Sequence, residues 1–187
     1  MTTSVQLDRI QKRFDGWDVN GDGRIDRSDC DAESQRILHA FGEVPASPRG
    51  RALTDAYRGM WNFFADHAGI DQENGRLTRE QFNDICQQYV LKNGGAGFSK
   101  VVKPAVKAMI QLADVDDDGR ISQAEFKTWL DAMRVENIDP ADAFRQIHAN
   151  GDEQLSVDED DQLSVDDLVR AVRAYHMGEI DVPLLGR

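Results

Sequence analysis

Apolar residues fall at helical spacing on either side of short acidic stretches, and this alternation recurs along the chain. Phe14 and Trp17 stand just ahead of a stretch that begins at Asp18, and Phe144 and Ile147 stand in the same relation to His148. Leu168, Val169, Val172 and Tyr175 continue an apolar face behind Asp167. Residues three and four apart share one side of a helix, so each run predicts an amphipathic helix flanking a loop. Helices are also expected over 28–41, over 51–65 with its aromatics Tyr57, Trp61, Phe63 and Phe64, over 98–113 and over 123–135. Another should open at Asp139-Pro140, where Asp suits the N-cap and Pro the first helical position. Two Pro and two Gly break the pattern in 42–50, and 92–97 (KNGGAG) reads as a flexible joint. Val182, Leu184 and Leu185 are apolar in a polar ending and are expected to pack back onto the body.

The loop at 114–125, DVDDDGRISQAE, carries the clearest chemistry. Asp114, Asp116 and Asp118 alternate, Gly119 follows, and Glu125 closes the stretch, which is the D-x-D-x-D-G-x5-E pattern of a calcium loop. A hard dication takes about six to eight oxygens at roughly 2.3–2.6 Å, and a short curling loop supplies them. The Asp side chains at positions one, three and five converge, Arg120 at seven lends only its backbone carbonyl, and Glu125 reaches back with two oxygens. Gly119 makes the sharp turn at least steric cost. Ile121, at position eight, is the residue that would pair with a second loop. Ser122 and Glu125 form an S-x-x-E capping box, so the loop ends by starting a helix.

Three further copies follow the same frame. In 18–29, Asp18, Asn20 and Asp22 take the alternate positions, Gly23 turns, Arg24 offers its carbonyl and Ile25 is the pairing residue. Position twelve is Asp29, one methylene shorter than Glu, which weakens a bidentate contact and favours the smaller Mg²⁺ relatively more. In the second copy, Gly75-Arg76-Leu77-Thr78 places Ile70, Gln72, Asn74 and Gln81 at positions one, three, five and twelve. None is a carboxylate, so this loop is expected to brace the first, Leu77 against Ile25, rather than hold an ion. In the fourth, 152–159 (DEQLSVDE) is followed by 160–167 (DDQLSVDD), a near-repeat that reads as a tandem eight-residue duplication. The preceding helix suggests a register from His148 through Asn150, Asp152 and Gln154 to Glu159. The following helix suggests one with Ser156, Asp158 and Asp160 at positions one, three and five, Leu163 at eight and Asp167 at twelve. The later register is favoured, with Asp158, Asp160 and Asp167 as its candidate ligands and a solvated acidic loop as the alternative.

Charge sharpens this picture. The net charge is −12, and the acids of the first, third and fourth loops outnumber the whole excess. Two carboxylates about 5 Å apart repel by roughly 3 kcal/mol at an effective dielectric of about 20. Such loops favour a cation, which couples metal binding to folding. The same charge argues against nucleic acid or an anionic membrane as partner. No run of about 18 apolar residues suggests a membrane span. Cys30 and Cys86 lack a CxxC partner and fit a reduced compartment. With no secretory leader expected in the opening stretch, a cytoplasmic location is anticipated. No Ser/His/Asp constellation, phosphate-cradling Gly loop or zinc spacing points to an enzyme.

The opening MTTSVQLDRIQKRFDGWDVNGDG, the EQF after the second loop, the GFSKVV region around Phe98 and the ending LVRAVRAYHMGEIDVPLLG resemble the sarcoplasmic calcium-binding proteins of the EF-hand superfamily, in particular their bacterial branch. The resemblance implies an all-α fold of four EF-hands in two pairs forming one compact globule, with short two-stranded bridges between paired loops. Residues 1–94 would form the first pair, 95–178 the second, and 179–187 an apolar tail on the core. It also implies calcium at hands one, three and four, and on this chain that transfers as Asp18, Asn20, Asp22, Arg24 and Asp29, with Asp114, Asp116, Asp118, Arg120 and Glu125. The expected function is that of a monomeric Ca²⁺ buffer or carrier, with Mg²⁺ tolerated mainly at the first loop. The chain has five Met, few for the adaptable groove of a promiscuous sensor. A sensor that exposes an apolar surface to a protein partner is the alternative, and a coelenterazine-type photoprotein a remoter one, prompted by Trp17, Trp61, Trp129 and the Tyr175-His176 pair.

Overall fold

The computed structural model describes residues 3–149 and 162–184. Nine helices and two two-stranded antiparallel sheets make up these residues. Helix α1 (Ser4–Trp17) is started by a Thr3–Gln6 capping box, and its buried face carries Ile10, Phe14 and Trp17 into the first loop. After strand β1 (Arg24–Ile25), helix α2 (Arg27–Ala40) leaves that loop. Helix α3 (Pro48–Ala68) leads to strand β2 (Leu77–Thr78) and helix α4 (Arg79–Ile85), which runs on as a π-helical turn at Cys86–Val90. Helices α5 (Lys92–Val101) and α6 (Lys103–Ala113) lead to strand β3 (Arg120–Ile121) and helix α7 (Gln123–Ala132). Helix α8 (Pro140–Ala149), strand β4 (Leu163–Ser164) and helix α9 (Val165–Met177) complete the set.

The loops pair as the position-eight residues demand. Ile25 lies opposite Leu77 and Ile121 opposite Leu163. Ile25, Leu77 and Ile121 are fully buried and Leu163 nearly so. Each pair of hands adds its own aromatic cluster. Phe64 stacks on Phe82 at 4.9 Å, with Phe14 and Trp17 edge-on to Phe82, and Phe126 meets Phe144 edge-on at 5.5 Å.

The two halves share one core. Helix α3 packs on α6, and α1 on α9. Tyr57 Oη donates to Met109 Sδ at 3.6 Å, and Arg36 donates to the carbonyl of Ala132 at 2.8 Å. In the tail, Val182 and Leu184 are buried, and the Trp129 indole N–H donates to the Leu184 carbonyl at 3.0 Å. Burying side chains of this size contributes about 1.5–3 kcal/mol each.

Three expectations need correction. Helix α3 begins at Pro48 rather than near residue 51, because Ser47 caps it by accepting from the Gly50 N–H and Pro48 supplies a preset φ at the first turn. The helix expected over 98–113 is two helices, divided at Val102. Pro104 has no N–H to continue the ladder, so α6 starts there afresh. The stretch 92–97, read as a joint, is helical and belongs to α5. Gly97 is needed for a different reason: a Cβ there would overlap the carbonyl oxygen of Tyr89 in the π-helical turn.

Replacing a helical Gly by Ala at a compatible site gains about 0.4–1 kcal/mol. Here the sign should reverse. Gly97→Ala is expected to cost about 1–3 kcal/mol through overpacking, read by urea unfolding at fixed saturating calcium. An unchanged or raised midpoint would contradict the close approach.

Candidate metal sites

Each loop ends in the same device. The residue at position nine caps the outgoing helix, and the residue at position twelve, third in that helix, folds back onto it. The pairs are Asp26/Asp29, Thr78/Gln81, Ser122/Glu125 and Ser164/Asp167. The closing ligand is therefore positioned by the helix start itself.

In the third loop Asp114 Oδ1 accepts from the Asp118 N–H at 3.2 Å and Oδ2 from the Gly119 N–H at 3.1 Å. Asp116 accepts from Asp118 N–H at 3.3 Å and Asp118 from Arg120 N–H at 2.7 Å. Glu125 Oε1 accepts from the Val115 N–H at 2.9 Å, and Oε2 from the Ser122 N–H at 2.9 Å and its hydroxyl at 2.8 Å. These bonds curl the loop so that one carboxylate oxygen each from Asp114, Asp116 and Asp118 lies within 4.8 Å of the other two. Ligands at roughly 2.3–2.6 Å from one ion stand no farther apart than about 5 Å, so the spacing fits Ca²⁺. The donor set is all oxygen, as a hard cation requires. Burial raises the Asp114 pKa, and the charges of Asp118 and Asp117 add to it. Burial pushes Glu125 the same way, but its hydrogen bonds from Ser122 and Val115 outweigh that and hold it below the usual carboxylate range. Gly119 (φ +77°) makes the turn, and Asp117 is also left-handed at φ 59°.

The first loop repeats the curl. Asp18 accepts from the Asp22 N–H at 3.0 Å and the Gly23 N–H at 2.8 Å, Asn20 from Asp22 N–H at 2.8 Å, and Asp22 from Arg24 N–H at 3.0 Å. The short arm of Asp29 shows at its far end. Its Oδ2 accepts from the Asp26 N–H at 2.9 Å, but Oδ1 reaches the Asn20 N–H only at 3.4 Å. Asp29 is almost fully buried, and burial raises its pKa, with Asp26 and Asp18 adding repulsion. A carboxylate so placed is stabilised by a nearby cation.

In the second loop, protein groups alone close the turn. Asp71 accepts from the N–H groups of Glu73 and Asn74 at 3.0 and 2.8 Å, and the Gly75 N–H donates to the Asp71 carbonyl at 2.8 Å. The bonds to its side chain also hold the Asp71 pKa low, the Asn74 N–H first among them. Gln81 Oε1 accepts from the Thr78 N–H at 3.0 Å, keeping the capping device without the charge. Two contacts escaped the sequence reading. Arg76 reaches across the bridge to Asp22 at 3.4 Å and Asp26 at 3.8 Å, and Arg49 of α3 pairs with Asp117 of the third loop. The only signal for the first was a cation at position seven of a loop without acids at its ligand positions.

In the fourth loop, the pairing of Leu163 with Ile121 puts Leu163 at position eight and Asp167 at position twelve. Asp167 Oδ2 accepts from the Ser164 N–H at 3.0 Å and from its hydroxyl at 2.6 Å. His148 lies within α8. Asp158 and Asp160 lie outside the described residues, as do Asn150, Asp152, Gln154, Ser156 and Glu159.

The EF hand family model matches residues 10–29 and 106–130, the helix–loop segments of the first and third hands. Calerythrin from Saccharopolyspora erythraea is 38% identical over 186 residues, covering 100% of both chains. The chain belongs to the calerythrin-like sarcoplasmic calcium-binding proteins. Among solved structures, a Streptomyces coelicolor calcium-binding protein matches with a TM-score of 0.66 and 27% identity, over 95% of this chain and 99% of that one. Calcium-loaded apo-aequorin from Aequorea victoria matches with a TM-score of 0.68 over 99% of this chain and 96% of that one, and at 19% identity it shares the fold.

Two substitutions test the loops in calorimetric calcium titrations. Glu125→Gln removes a ligand charge, and should weaken one site by roughly a hundredfold while leaving another unchanged, since ligand charge tunes such loops over orders of magnitude. Asp29→Glu restores the missing methylene, and should raise calcium affinity relative to magnesium by about tenfold at the other site. Equal isotherms for variant and parent would contradict the assigned ligands.

Proposed function

We propose that the chain binds Ca²⁺ through its first and third loops and acts as a calcium buffer or carrier, a monomer of the cytoplasm with no catalytic step. The ligands would be the side chains of Asp18, Asn20, Asp22 and Asp29 with the Arg24 carbonyl, and those of Asp114, Asp116, Asp118 and Glu125 with the Arg120 carbonyl. Mg²⁺ would compete mainly at the first loop, where the closing arm is short. The fourth loop would add Asp158, Asp160 and Asp167 in the register set by Leu163.

The observation that carries the buffer reading is the buried tail. A sensor must uncover an apolar face when calcium arrives. Here Val182 and Leu184 are buried, Leu184 is held by the Trp129 indole N–H, and Met60, Met109 and Met133 are buried. Among the described residues the exposed large apolar side chains, Val5, Val19, Val44, Tyr89 and Val115, come from separate segments. No helix among them is long and apolar enough to cross a membrane.

A second reading, a sensor that shows an apolar surface to a protein partner, is favoured by the Streptomyces coelicolor neighbour, whose structure was described as a basis for calcium-mediated regulation. The photoprotein reading has less support. The apolar cavity beside Trp17, Tyr57 and His176 measures ≈ 60 Å³, against about 300–1,000 Å³ for a small-molecule site.

Fluorescence of an apolar-surface dye separates buffer from sensor. The buffer reading predicts no more dye binding with saturating Ca²⁺ than with Mg²⁺. A large calcium-specific rise would favour the sensor.

A further inference from the structure

A cleft of ≈ 470 Å³ opens where α1 meets the α7–α8 connection and the end of α9. In a chain of net charge −12 its lining is cationic: Arg9, Lys12 and Arg13 from α1 and Arg134 from the connection, with Glu136 as the one carboxylate among the lining residues. Arg9 is committed to Asp181 at 3.0 Å and lies over the Tyr175 ring at 4.0 Å. Lys12 is committed to Asp8 at 2.9 Å.

Arg13 and Arg134 are different. Arg13 Nε is shielded from solvent and has no hydrogen-bond partner among the described residues. The nearby acid, Glu33, is already held by two 2.7 Å hydrogen bonds from Arg36. Arg134 is exposed, sits in the left-handed region at φ 55°, and makes no ion pair among the described residues. His176 adds no positive charge at pH 7, since burial and the Arg13 charge push its pKa down to about 4. A shielded guanidinium N–H without a partner is unfavourable unless an acceptor meets it. The guanidinium fork matches the geometry of oxyanions.

We propose that this cleft binds a small divalent oxyanion of the phosphate class, held by the guanidinium groups of Arg13 and Arg134. Two guanidinium groups with no ion pair among the described residues match two negative charges, and the volume accepts either free phosphate or the phosphoryl end of a small phosphate monoester. None of its lining residues belongs to a calcium-type loop.

Thermal unfolding of the Mg²⁺-loaded full chain, in which phosphate stays soluble, tests the proposal. Inorganic phosphate and glycerol phosphate are each compared with chloride at equal ionic strength. Phosphate should stabilise the parent saturably. Arg13→Met should unfold at a higher temperature than the parent without phosphate, having lost a shielded N–H with no partner among the described residues, and should bind phosphate roughly tenfold more weakly or worse. The exposed Arg134→Ser, which leaves the core untouched, should also weaken binding. Tighter binding of glycerol phosphate assigns the site to a phosphate monoester, and equal binding assigns it to the free anion. A phosphate response no larger than that of chloride, or equal in parent and both variants, would overturn the proposal.

Discussion

The two-residue bridge between paired loops is the constraint on which the rest depends. Ile25 against Leu77 and Ile121 against Leu163 fix the register of each pair, and a slip of one residue would turn these side chains out of the core. The residue after each, Asp26, Thr78, Ser122 or Ser164, is the cap of the outgoing helix, and three residues on stands the closing position of the loop. Bridge, cap and closing residue thus form one rigid sequence of contacts. The position of Glu125 or Asp29 is a consequence of where the bridge lies.

Electrostatics separates the copies. In the first and third loops one carboxylate, Asp29 or Asp114, is buried among more exposed acids, and its N–H donors only partly offset the loss of water. Asp29 and Asp114 are raised by burial even so. The second loop lacks this conflict. Asp71 stands off the ligand positions and satisfies the backbone itself, and Arg76 turns the spare face of the loop toward Asp22 and Asp26. A copy without ligands thereby shapes the charge of its neighbour.

The loops and their pairing were legible because the chemistry is local: alternate carboxylates, a glycine at the turn and an apolar residue two positions on. The helix leaving the third loop was legible for the same reason, through its Ser122/Glu125 capping box, whereas the boxes of the other three loops emerged only in the structure. Helix boundaries in the connections were harder. Pro104 divides a continuous apolar run, and Ser47-Pro48 starts a helix inside a stretch that composition marks as a break. Gly97 could not be read at all from its neighbours, because its role is a close approach to Tyr89 across a π-helical turn. The eight-residue repeat left two registers open, and what the structure adds is a tertiary contact, Leu163 on Ile121.

The most direct test is a calorimetric titration of the full chain with Ca²⁺, with and without Mg²⁺. At least two strong sites are predicted, one of them weakened by Mg²⁺ because the first loop closes with Asp29. A third would belong to the fourth loop. Fewer than two sites, or two equally indifferent to Mg²⁺, would contradict the account.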